Sequence, residues 1–172
     1  MMLWNEFTEK KIAETMPTRN IEDIPKSGRI IAFDVGEKTL GVALSSPSRM
    51  IGSPHKTIQR TKWGQDKLII QKLIAAEKAT CAVVGLPLSM EGGESAQTQS
   101  CLSFADLIEK ECGLPVLLWD ERLTTKAATD ALFEQRQGRQ KRASKKDVKQ
   151  HVDSVAASLI LQGVLDRLRF QG

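Results

Sequence analysis

The sequence predicts an α/β fold, with a mixed sheet and helices packed on its faces. Three observations carry this. Between residues 29 and 58 three short strand-like segments follow one another, and the first two are joined by an insert too short for a crossover helix. Beyond residue 60, helix-like and strand-like segments alternate, which is the pattern of βα units. The chain has 172 residues of ordinary globular composition, which suits one domain with its own core.

Residues 1–27 read as an N-terminal extension. Trp4 and Phe7 share a helical face near Ile12, and Pro17 and Pro25 interrupt the stretch after it, so a short helix and a linker are expected. The domain proper is expected over 28–172. "RIIAFDV" (29–35) has few polar positions and predicts a strand buried on both faces. "TLGVALSS" (39–46) predicts a second strand, and the short insert "GEK" makes the pair an antiparallel hairpin. "IGSPHKTI" (51–58) predicts a third strand, at an edge because it contains Pro54. "WGQDKLIIQKLIAAEKA" (63–79) predicts a helix with an apolar face at 68/69, 73 and 76.

"TCAVVGLPL" (80–88) predicts a buried strand, and "SMEGGES" (89–95) a glycine-rich turn. Ser95 is placed to cap the next helix, and Gly113 to end it. "LPVLLWDE" (114–121) predicts the fifth strand. "TTKAATDALFEQ" (124–135) and "DVKQHVDSVAASLILQGVLDRL" (147–168) predict two more helices. The order is βββαβαβαα: three strands in antiparallel sequence plus two parallel strands, five in one sheet. Neither an internal repeat nor a low-complexity segment is visible.

Composition narrows the function classes. No apolar run approaches the roughly 20 residues of a membrane helix. The N-terminus has no apolar stretch of signal-peptide length, so a cytoplasmic location without a membrane partner is expected. Cys81, Cys101 and Cys112 are odd in number and widely spaced, which argues for small buried thiols and against a disulfide framework or a zinc site. Net charge is only +4, but it is unevenly spread. "QRQGRQKRASKKDVK" (135–149) holds Arg136, Arg139, Lys141, Arg142, Lys145, Lys146 and Lys149 against Asp147 alone. Such a run suits a polyanion such as nucleic acid, or a solvated loop.

The acids locate a site. Active sites of open α/β sheets lie at the carboxyl ends of the parallel strands. Asp34 ends the first strand, Asp120 and Glu121 end the fifth, and Asp153 stands early in the last helix beside small Ala156 and Ala157. Adjacent, parallel first, fourth and fifth strands would bring these acids to one edge. Carboxylates gathered together resist ionising unless a cation joins them, and hard divalent ions prefer oxygen ligands. One or two Mg²⁺ or Mn²⁺ ions are therefore the expected cofactor. Such ions cleave phosphodiesters by activating water and stabilising the leaving oxygen. Gly36 would leave room for a phosphate beside the hairpin.

Four segments extend this reading: "IAFDVGEKTLGVALSS", "VVGLPLSMEGGE", "LLWDERLTT" and "VDSVAASLILQGVLD". In order and spacing, from about Arg29 to Leu168, they resemble the YqgF/RuvX family. Its members are described as pre-16S rRNA nucleases or as Holliday junction resolvases. The resemblance implies a ribonuclease H-like fold and a metal-dependent endonuclease acting at the 5′ end of pre-16S rRNA, with structured pre-rRNA or ribosomal precursor particles as partners. A DNA four-way junction is the alternative substrate. By motif match Asp34, Glu121 and Asp153 are the catalytic and metal-binding acids. Asp120 is the alternative to Glu121, since neighbours on a strand face opposite ways. Lys38 and Arg122 flank the acids as phosphate contacts, and Arg139, Lys141, Arg142, Lys145 and Lys146 would hold the nucleic-acid backbone. Thr124 and Thr125 serve better as helix caps than as ligands. His55 and His151 read as structural or exposed polar residues. Glu37 stands where Thr is common in the family, and Glu91 where Asp is common.

Three rival functions remain. An actin-like ATPase also begins with an Asp-x-Gly hairpin, but needs two related domains and a longer chain. A junction resolvase would use the same acids, with a two-fold dimer to make two cuts; the sequence leaves monomer and dimer open. A binding module would keep the fold and lose the acids, all of which are present. Low aromatic content predicts no stacking platform for unpaired bases.

Overall fold

A computed structural model describes residues 17–88, 94–123 and 145–171, the side chains of 145–150 excepted. Five strands form one sheet: β1 (Arg29–Val35), β2 (Thr39–Ser45), β3 (Gly52–Gln59), β4 (Ala79–Leu86) and β5 (Val116–Asp120). Their order is β3-β2-β1-β4-β5. β1, β2 and β3 pair antiparallel, whereas β4 and β5 run parallel to β1. Three helices are described: α1 (Trp63–Glu77), α2 (Ala96–Cys112) and α3 (Lys145–Gln171). This is the expected mixed sheet; the helix expected at 124–135 lies outside the described residues, as do most of the glycine-rich turn and residues 1–16.

Each strand and cap has a local cause. β1 and β2 are almost wholly buried, matching their unbroken apolar sequence. Pro54 sits in edge strand β3, opposite Ala43, next to a register shift in the pairing. Ser95 accepts a hydrogen bond from the Thr98 N–H, capping α2, and Gly113 ends it in the left-handed region at φ 68°.

The sheet separates two cores. Ile31, Phe33, Val35, Leu40, Val42, Val84 and Leu86 face α1 and α2, where they meet Ile70, Phe104 and Ile108. Ile30, Ala32, Ala43, Cys81 and Val83 face α3, where they meet Ala157, Ile160, Leu161 and Val164. Cys81 and Cys101 are buried, and burial pushes their thiols up to about 11 and about 12. Ile21 and Ile24 join the second core, and Thr18 bridges to Leu117 on the free edge of β5.

One expectation is corrected. α1 buries Ile70 and Leu73, and Leu68 and Ile69 are exposed. Leu68, Ile69 and Ile70 are consecutive apolar residues, so spacing could not choose which of them faced the sheet; docking against α2 chose Ile70. Among the described residues no helix is long and apolar enough to cross a membrane.

Candidate active site

Because β1, β4 and β5 are adjacent and parallel, their carboxyl ends share one edge. Asp34 is the next-to-last residue of β1. By strand alternation it points to the same face as Ile30 and Ala32, the face that α3 covers. Directly opposite Asp34 in the hairpin is Gly41. A Cβ at Gly41 would lie 2.0 Å from the Asp153 carbonyl oxygen. Glycine there is what lets the α3 backbone rest on β2, and this contact fixes Asp153 beside Asp34. Thr39, buried in β2, donates its hydroxyl to Asp153 Oδ2 at 2.8 Å and sets that carboxylate's orientation.

Glu121 reaches the edge from the other side. It begins a 3₁₀ turn, Glu121–Leu123, immediately after β5. Its Oε1 would be 2.8 Å from a Cβ at Gly85 in β4, so a second glycine makes room for this carboxylate. Asp120 turns away. Arg122 Nε donates to both Asp120 oxygens at 3.0 Å, and Nη2 donates to Oδ2 at 2.7 Å. Those hydrogen bonds hold the Asp120 carboxyl below its usual range. The expected strand alternation between 120 and 121 does not apply, because the strand ends at Asp120.

The electrostatics show which acids face one another. Asp34 is raised from 3.8 to about 7, first by burial, then by the negative charges of Glu121 and Asp153. Glu121 is also raised, by burial and then by Asp120. Among the described residues, no three His, Cys, Asp or Glu side chains gather closely enough to hold a metal ion. Asp34, Glu121 and Asp153 are thus coupled through charge without converging on one point. Their donor chemistry, carboxylate oxygens with excess negative charge, fits a hard divalent cation.

Basic groups border this edge unevenly. Lys38 is exposed on the hairpin turn, and Glu37 beside it points to solvent. Arg122 is exposed but engaged with Asp120. Arg139, Lys141, Arg142, Thr124, Thr125 and Glu91 lie outside the described residues. Lys145 and Lys146 open α3, and their side chains are not described. His55 and His151 are both exposed.

Two braces of the hairpin turn, Arg60 and Gln97, were not singled out from sequence. Arg60 Nη1 donates to the Gly36 carbonyl at 2.5 Å, and the Arg60 N–H donates to the Lys38 carbonyl at 2.9 Å. These contacts brace the hairpin turn that carries Asp34. From α2, Gln97 donates to the Val35 carbonyl. The Gly36 N–H donates to the Thr39 carbonyl at 2.9 Å, closing the turn. Arg60 and Gln97 act through backbone atoms, so no motif of side-chain types announces them.

Comparison with known proteins decides the family. The model of the family described as "RuvX: Holliday junction resolvase" matches residues 28–167. The chain belongs to the RuvX family. A relative from Paracoccus denitrificans named "Putative pre-16S rRNA nuclease" is 42% identical over 151 residues, covering 88% of this chain and 92% of the relative. A relative of the same name from Novosphingobium aromaticivorans is 43% identical, covering 84% and 89%. In structure the chain is similar to Thermus thermophilus RuvC in complex with a Holliday junction substrate, with a TM-score of 0.51 and 11% identity, covering 84% of this chain and 95% of that one. At that identity the likeness shows the fold alone, and that fold is ribonuclease H-like. This RuvX-family chain therefore joins a ribonuclease H-like fold to an open edge bordered by Asp34, Glu121 and Asp153.

Proposed function

We propose that the protein is an endonuclease that hydrolyses phosphodiester bonds at the Asp34–Glu121–Asp153 edge, and that its task is processing the 5′ end of pre-16S rRNA. The observation that carries this reading is geometric: Asp34 stands at the end of β1, Glu121 lies over Gly85, and Asp153 is held by Thr39 where α3 rests on Gly41. An edge with that much negative charge gains most from a cation and a phosphate arriving together. Asp34, Glu121 and Asp153 would hold Mg²⁺ or Mn²⁺, which when bound supplies Lewis-acid stabilisation of charge on the phosphate being cut.

The chain's own groups prepare the reaction. Thr39 fixes the Asp153 carboxylate through its hydroxyl. Glu121 is held over Gly85. Gly36 closes the hairpin turn next to Asp34, and Arg60 and Lys38 bring positive charge to the side from which a phosphate would approach. With no cation bound, Asp34 holds a proton through much of the range below about pH 7 and must release it for cation binding.

The second reading is junction resolution, favoured by the description of the matching family. One assay separates the two. A structured RNA carrying the 16S 5′ leader, free or in a precursor particle, is incubated in parallel with a four-way DNA junction. Each is run with Mn²⁺, with chelator and with Asp34→Asn. Metal-dependent RNA cutting that Asp34→Asn abolishes is the expected result. Cutting of the junction alone replaces rRNA processing with resolution, and a dimer in solution would accompany it. Cutting that persists in chelator or in Asp34→Asn overturns the acid-edge mechanism.

A further inference from the structure

A cavity of about 330 Å³ opens between the start of α1 and the side of α2, on the sheet face opposite the one that α3 covers. Its size falls within the roughly 300–1,000 Å³ of small-molecule sites. Its walls are of mixed character. Trp63 forms an aromatic wall and Phe104 an apolar floor, with the two rings edge to face at 6.1 Å. Ser100, Ser103 and Thr61 put hydroxyls on the rim, and Arg60 closes the end nearest the hairpin turn. The acid that lines it, Asp66, is already used by the Thr61 N–H at 3.0 Å and the Thr61 hydroxyl at 2.8 Å.

The cavity is joined to the site at two points. Arg60 lines it and also holds the Gly36 carbonyl, two residues past Asp34. Gln97 holds the Val35 carbonyl, and Ser100 and Ser103 succeed it at spacings of three on α2. Residues three apart lie on one helix face, so Gln97, Ser100 and Ser103 form a polar track about 9 Å long leading away from Asp34. A bare phosphate would need the cation but neither the aromatic wall nor the apolar floor. A nucleobase uses all of them: stacking or edge contact with the ring, a dry floor, and hydroxyls for its polar edge.

We propose that this cavity receives one unpaired nucleobase of the nucleic-acid strand being cut, from a nucleotide neighbouring the scissile phosphate, with Arg60 on that nucleotide's phosphate. The proposal rests on the nuclease reading above and deepens it, because it makes an unpaired nucleotide part of what the enzyme recognises. It also supplies the aromatic contact that composition alone did not predict.

The test uses the full chain with adenosine 5′-monophosphate as probe and inorganic phosphate as control, both in chelator. The readout is the NMR signal of the Trp63 indole N–H, which donates to Glu111 at 2.7 Å and is identified by Trp63→Phe. The nucleotide is expected to shift this signal and the Ser100 and Ser103 amides, and phosphate is not. Ser103 is exposed, so Ser103→Phe fills the cavity from its rim without disturbing the core; nucleotide binding is expected to weaken at least tenfold. An equal shift with phosphate, no shift at all, or unchanged binding in Ser103→Phe would overturn the proposal. Cleavage then separates the two levels. In a wild-type enzyme that cuts RNA, Ser103→Phe is expected to raise KM about tenfold for a substrate with an unpaired nucleotide at the cut. Unchanged KM and cut position remove the base pocket and leave the nuclease standing. A wild type that cuts nothing removes the nuclease reading, and the titration still decides whether the cavity binds a nucleotide.

Discussion

On the face covered by α1 and α2, the sheet presents Phe33, Leu40, Val42, Val84 and Leu86, and the helices answer with Ile70, Phe104 and Ile108. On the face covered by α3, the same strands present Ala32, Gly41, Ala43 and Gly85. The first face is filled by large side chains throughout; the second also packs Ile30, Val83, Leu117 and Trp119, but is emptied of side chains where Asp153 and Glu121 come closest. Filling yields stability through buried apolar area. Emptying yields proximity: the α3 backbone reaches β2 at Gly41, and the Glu121 carboxylate reaches β4 at Gly85. The same sheet is thus a scaffold on one side and a positioning device on the other. The two sides should respond differently to mutation.

The sharpest separation is expected from Asp34→Asn. Its loss of charge should cut metal-dependent cleavage by roughly 10³-fold while the fold survives, as read by kcat and by circular dichroism. Retained cleavage would move the chemistry away from the emptied face. Next, Ile108→Ala on the filled face should lower stability by about 2–5 kcal/mol in urea unfolding. The molecules that stay folded should keep most of their kcat. A collapse of kcat at full folding would mean that the two faces are not separable.

Gly41→Ala should do both kinds of damage, because its Cβ would meet backbone and cannot be accommodated by a rotamer change. A stability loss of about 3 kcal/mol and a roughly 10²-fold loss in kcat are expected. Normal activity would show that α3 has room to shift. The pH dependence comes next. The Asp34 carboxyl is raised in the folded chain, so the folded state binds the extra proton between about pH 4 and about pH 7. Stability from this group is present at low pH and lost as pH rises through that window. In chelator, the wild type should therefore lose stability relative to Asp34→Asn between pH 5 and pH 8, by on the order of 2 kcal/mol. Added Mg²⁺ should reverse the loss in the wild type alone. Equal pH profiles would remove the electrostatic coupling. The smallest effect is Thr39→Val, which frees the Asp153 carboxylate and should lower kcat about tenfold with a stability change near 1 kcal/mol.

Much of the molecule was legible in its sequence, for identifiable reasons. The apolar runs 29–35 and 39–46 flanked an insert of three residues, and only a hairpin fits that spacing. Asp34 at the end of such a strand, with acids at the ends of later elements, marked the edge. The glycines were harder. Gly41 and Gly85 look like weak points in strand sequences, and their purpose appears only when the atoms opposite them are known. Glu121 was favoured by motif; what the motif did not show is a strand that ends one residue earlier than its apolar pattern implied, which leaves Glu121 over Gly85 and Asp120 paired with an arginine two residues on. The face of α1 failed where three apolar residues stood in a row. The bracing by Arg60 and Gln97 was invisible because both act on carbonyl oxygens, which every residue has.

The contact between Gly41 and the Asp153 carbonyl also has a meaning in time. Chains are made from the N-terminus onward, and domains fold as their parts emerge. A nascent chain that has emerged only through β5 and its 3₁₀ turn already carries Asp34 and Glu121. It lacks the helix whose docking supplies the third acid and covers the emptied face. On the proposed mechanism, catalytic competence therefore waits until α3 has emerged and docked: a ribosome can hold all five strands of the sheet without holding a finished site.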